Sequence, residues 1–81
     1  MIIYSKNLIV STEDFPAISI IRSNVNYDKY SVVFQSKFNA DANVSISGLE
    51  YNAAVKILEK ITEGIMNNKL YLKIENIENS N

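Results

Sequence analysis

Cysteine, histidine and tryptophan are missing from this sequence, arginine and proline occur once each, and glycine twice. Each gap removes a class of chemistry. Without cysteine there is no disulfide framework and no thiol nucleophile, and without cysteine or histidine the usual zinc sites cannot be assembled. General acid–base catalysis relies on histidine or on carboxylate pairs with separated pKa values, and the first is absent. Gly48 and Gly64 are the only glycines, so a glycine-rich phosphate loop is excluded. Serine and threonine are common, yet no nucleophile elbow or Ser/Lys motif accompanies them. No apolar run approaches the length of a membrane span. Met1-Ile2-Ile3-Tyr4 lacks the basic and long apolar regions of a secretory leader, which sets the cytoplasm as the expected compartment. The expectation is a non-enzyme with no cofactor and no bound metal.

The chain has 81 residues, room for one domain with one core. Eight cations nearly balance nine carboxylates. That balance disfavours a dedicated nucleic-acid binder, which carries a basic excess, and equally an acidic mimic of DNA. Isoleucine, asparagine and lysine are abundant, a preference that follows AT-rich codons, as in low-GC bacteria and their phages. There is no internal repeat and no low-complexity linker.

The longest periodic stretch runs from Ser47 to Asn68. Ser47-Gly48-Leu49-Glu50 has capping-box spacing, with Ile46 and Tyr51 placed for a hydrophobic staple. At 100° per residue, Tyr51, Ala54, Val55, Leu58, Ile61, Thr62 and Ile65 gather on one side, with Ile57 and Met66 flanking. Asn67-Asn68 is the expected stop, because asparagine tolerates the left-handed conformation. Gly64 reads as a tolerated glycine near a fraying end, in preference to a point of close approach. Glu59 and Glu63 sit one turn apart on the polar side. Lys56 and Lys60 interleave with them, so a solvated surface laced with ion pairs is expected there, ahead of a metal or catalytic pair.

Strands surround this helix. Asn7–Val10 reads as a strand, preceded by a short one at Ile2–Tyr4, and Ser11–Asp14 as a turn that Pro16 stops from extending. Ala17–Ser23 and Lys29–Phe38 form a hairpin closed by the Asn24–Asp28 loop. Ile18, Ile20, Tyr30, Val32, Phe34 and Phe38 are its inward residues. A turn at Asn39–Asn43 leads to a short strand at Val44–Ile46. After the helix, Lys69–Glu75 alternates with Leu70, Leu72 and Ile74 inward. The result is an α+β domain over residues 1–75, a mostly antiparallel sheet of three to five strands with one long amphipathic helix on one face. Residues 76–81 are expected to fray.

What remains for function is the sheet face away from the helix. It carries Ser19, Ile21, Ser31, Val33, Gln35, Lys37, Tyr71 and Lys73, with Ile3 or Ile9 added by an N-terminal strand. Tyr27, in the hairpin loop, is a second candidate contact. The leading expectation is a protein-binding module that occludes another protein. Small domains of this size and composition are common among phage and mobile-element proteins, some of them inhibitors of bacterial defence such as anti-CRISPR proteins. The alternatives are a single-strand nucleic-acid binder that stacks a base on Tyr71 beside Lys37 and Lys73, and a homodimer closed sheet against sheet or edge against edge.

Overall fold

The computed structural model describes residues 1–74. In chain order these form β1 (Ile2–Ser5), β2 (Leu8–Ser11), β3 (Ala17–Arg22), β4 (Tyr30–Gln35), β5 (Val44–Leu49), α1 (Tyr51–Met66) and β6 (Tyr71–Lys73). The class is α+β, as expected. The strands, however, are dealt into two three-stranded sheets. In one, β1 lies between β2, antiparallel to it, and β6, parallel to it. The other has the antiparallel order β3-β4-β5. The inner faces of both sheets pack on α1. Glu75 and the expected tail 76–81 lie outside the described residues.

Alternation in β4 sends Val32 and Phe34 into the core, where neither retains any exposed surface, with Ile18 and Ile20 beside them from β3. Phe38 leaves the pattern and is 71% exposed. β4 stops at Gln35 because side chains capture the backbone beyond it: the Ser36 N–H donates to Asn43 Oδ1 at 2.8 Å and the Phe38 N–H to Ser36 Oγ at 3.0 Å. Asn39 then caps a 3-10 turn at Ala40–Ala42, its Oδ1 accepting from the Ala42 N–H. Leu70 is likewise exposed where an inward side chain was expected, since β6 begins only at Tyr71.

The helix starts later than the capping box predicts. β5 does not stop at Ile46; it runs on to Leu49, whose side chain is 1% exposed. Tyr30 pairs with Leu49 and Val32 with Ile46, so Ser47 and Gly48 bulge opposite Ser31. Gly48 sits there at φ +74°. Burying Leu49 in the ladder outcompetes a helical turn at that position. Glu50 becomes the N-cap and makes no side-chain capping bond, while the Ser47 hydroxyl turns to Ser31. Tyr51, assigned to a staple, instead packs edge-on against the Tyr30 ring.

The buried face of α1 is also rotated from the one the apolar average suggests. Ala54, Ile57, Ile61 and Gly64 are buried, whereas Tyr51, Thr62 and Ile65 are exposed. Small residues mark where the backbone comes closest to its neighbours. A Cβ on Gly64 would lie 3.1 Å from Met1 Sδ and 3.9 Å from Leu72 Cδ1, so this glycine is a point of close approach. The exit is as expected. Asn68 adopts φ +55°, the Lys69 N–H reaches the Gly64 carbonyl at 2.9 Å and the Asn68 N–H the Ile65 carbonyl at 3.1 Å, a Schellman termination.

Two stability changes test this arrangement. Gly48→Ala should cost about 1–2 kcal/mol in urea unfolding, an entirely conformational penalty because a Cβ there meets nothing within 4 Å. Phe34→Ala should cost about 3–5 kcal/mol, against a total of roughly 4–12 kcal/mol for a domain of this length. That variant should therefore unfold at a clearly lower urea midpoint and melting temperature than the wild type, followed by circular dichroism.

Candidate interaction surface

The register of the β3-β4-β5 sheet defines its outer face residue by residue. Ala17, Ser19 and Ile21 come from β3, Ser31, Val33 and Gln35 from β4, and Ser45 and Ser47 from β5. One cross-strand row reads Ser19–Val33–Ser45, and the next places Ile21 beside Ser31. The Ser31 hydroxyl donates to Ser47 Oγ at 3.1 Å, and Ser45 Oγ lies 3.4 Å from Ser47 Oγ. The face is shallow because its serines are short, and Ile21 stands 49% exposed among them. None of these eight residues is charged, in a chain where 21% of residues are. Hydroxyls that already bond one another and two aliphatic side chains are less costly to desolvate than ionic groups.

Ile21, Val33 and Gln35 are thus brought together as expected. Lys37 is not part of this face. It lies beyond the end of β4, with Nζ 3.7 Å from an Asp14 carboxylate oxygen and 5.4 Å from the Phe38 ring centroid. There it lines a cavity of about 300 Å³ with Pro16, Gln35 and Asn43. Tyr71 and Lys73 belong to the other sheet, paired with Ile2 and Tyr4 of β1. Their neighbours on that outer face are Ile2, Tyr4 and Ile9, the last 76% exposed. Ile3 points the opposite way and is fully buried. Alternation assigned Ile21, Val33, Gln35, Tyr71 and Lys73 to the outer side of their own strands, but failed for Ile3, Phe38 and Leu70; joining the strands into a single sheet put Tyr71 and Lys73 in the wrong company.

Tyr27 stands 69% exposed at the hairpin tip, clear of the strands, with Val25 nearby at 95%. The loop that carries it is held by local bonds. Ser23 Oγ accepts from the Val25 and Asn26 N–H groups, and Asn26 Oδ1 accepts from the Asp28 N–H. This ordering reduces the entropy lost when such a loop is immobilised by a partner.

Two arrangements escaped the sequence reading. Arg22 Nε and Nη2 both donate to the Tyr30 hydroxyl, at 3.2 and 2.9 Å, and Tyr51 meets the Tyr30 ring at a centroid distance of 5.1 Å. The hairpin register, which sets Arg22 opposite Tyr30, was the signal that could have found the first contact. The second is a cavity of about 360 Å³ between the end of α1 and β6, lined by Lys60, Glu63, Lys69, Tyr71 and Lys73 among others. Lys60 and Lys69, and not Lys37, accompany Tyr71. The lacing of Glu59 and Glu63 with Lys56 and Lys60 is absent: among the described residues no ion pair joins these four.

Among the described residues no polar or charged side chain is buried, and no three His, Cys, Asp or Glu side chains are grouped to hold a metal ion. No described helix is long and apolar enough to cross a membrane. Tyr30→Phe should lower stability by about 1 kcal/mol in urea unfolding, the cost of the solvent-exposed bonds from Arg22, and leave the β3–β4 ladder intact by amide exchange. Comparison with known proteins finds no match for this chain among family models, curated proteins or solved structures.

Proposed function

We propose that this chain is a small non-enzymatic protein-binding module that covers part of its target with the outer face of the β3-β4-β5 sheet. The observation that supports this reading is the absence of charge from all eight residues of that face. Charge depletion distinguishes the centre of a protein contact from ordinary surface more clearly than bulk hydrophobicity does.

Size adds a constraint. Three strands of six residues offer a flat area of only about 20 Å by 10–15 Å. A stable complex covers on the order of 800 Å² on each partner. The contact must therefore spread to the ends of the sheet, where Val25 and Tyr27 project at one end and Lys37 and Phe38 at the other. Tyr27 and Lys37 keep a place in the proposal as peripheral contacts. The proposed setting is a low-GC bacterium, with the target a host defence protein and the chain an inhibitor of phage or mobile-element origin. That part rests on composition alone.

A second reading, binding of single-stranded nucleic acid, is favoured by one feature, the cavity where Lys60 and Lys69 flank Tyr71. An affinity capture from lysate separates the two readings. Tagged chain should retain a protein that Val33→Lys loses by about tenfold or more and Tyr71→Ala keeps, with no effect of nuclease. Capture unchanged by Val33→Lys would remove the sheet face from consideration. Loss on nuclease treatment, or in Tyr71→Ala alone, would transfer the function to the cavity beside β6.

A further inference from the structure

We infer that two copies of this chain pair edge to edge through β3, joining their β3-β4-β5 sheets into one continuous sheet about a twofold axis at Ile20. The inference stands apart from the identity of any target.

A sheet edge is a row of unpaired backbone groups, and folded proteins blunt such edges with short strands, bulges, prolines or charges. Among the described residues, three of the four sheet edges are blunted. β2 has four residues, β6 has three, and β5 is broken by the bulge at Gly48. β3 has six residues in unbroken register with β4, and Pro16 precedes it without entering it. Its one charge is drawn away from the edge, because the Arg22 guanidinium bonds to Tyr30 on the neighbouring strand.

The ladder fixes which groups are offered. The Ser23 N–H donates to the Lys29 carbonyl at 2.9 Å. In antiparallel pairing every second residue bonds the same neighbour, so Ala17, Ser19 and Ile21 bond β4 while Ile18, Ile20 and Arg22 turn their backbone groups outward. Among the described residues no bond to those outward groups is formed. Burial follows the same line. Ile18 and Ile20 face the core yet remain partly exposed, whereas Val32 and Phe34 on the next strand are completely covered.

A second copy fits this edge in one register better than in any other. With Ile20 opposite its own counterpart, Ile18 faces Arg22 of the other copy and Ser19 faces Ile21, so all three outward residues find partners inside the strand. Moving the axis toward Ile18 brings Pro16, which has no N–H, into the ladder. Moving it to Arg22 opposes two like charges. In the Ile20 register the uncharged outer faces of the two copies become contiguous.

Sedimentation velocity on the full chain at high micromolar concentration tests the pairing. The expected result is a dimer. Ile21 lies on the exposed side, so Ile21→Lys and Ile21→Glu should fold normally by circular dichroism. Each alone should weaken self-association by about tenfold or more, because like charges then meet diagonally across the axis. An equimolar mixture of the two should restore the dimer. A wild-type monomer would overturn the inference, and so would a dimer that both single variants leave intact.

Discussion

The fold depends on a narrow stripe of α1 that two sheets share. Ala54, Ile57, Ile61 and Gly64 are the buried residues of the helix; the two isoleucines fill the core, and the small Ala54 and Gly64 decide how near the neighbouring elements can come. At the Gly64 end the helix surface lies against Met1 and Leu72; elsewhere it packs on β3 and β4, where Val32 and Phe34 supply the bulk. Because one helix covers the inner faces of both sheets, no second helix is needed to close the core. The largest fully buried side chains, Phe34, Ile3, Leu49 and Val32, accordingly come from strands of both sheets.

That economy fixes what is left for the surface. A single helix cannot cover the outer faces as well, so among the described residues no helix covers either of them, and they differ in kind. The β3-β4-β5 face is made of serines and aliphatics with no charge, while the β2-β1-β6 face mixes Ile2, Tyr4, Ile9 and Tyr71 with Lys73. The first is shallow and neutral, suited to broad contact; the second is rougher and aromatic. Loop chemistry supports the division, since side-chain bonds from Ser23 and Asn26 hold Tyr27 out at the end of the neutral sheet.

The β3–β4 hairpin was legible in the sequence because alternation over six residues on either side of a polar loop is a local signal, and Ile21, Val33 and Gln35 were placed together for that reason. The end of α1 was legible on the same grounds, from Asn67 and Asn68. Its beginning was not. Ser47-Gly48-Leu49-Glu50 satisfies a capping pattern and a bulged strand equally well, and only pairing with Tyr30, far back in the chain, decides between them. The division into two sheets was hidden for a similar reason. Period-two patterns say which side of a strand a residue occupies, but contain nothing about which strand lies next to it. Tyr71 and Lys73 were therefore grouped with Val33 although β6 pairs with β1.

The parallel pairing of β1 with β6 also governs the order in which this molecule can assemble. Ile3 and Leu72 are register partners although nearly the whole described chain separates them. Closing so long a loop is entropically costly and slow, whereas the β1–β2 and β3–β4 hairpins need only local closure. On the ribosome, β1 can pair with β2 early but must leave its other edge empty until α1 and β6 have emerged. In that interval Ile3 and Val10 have no helix to cover them. β6 is the last described strand in chain order, so the second edge of β1 is filled only after α1 has been made.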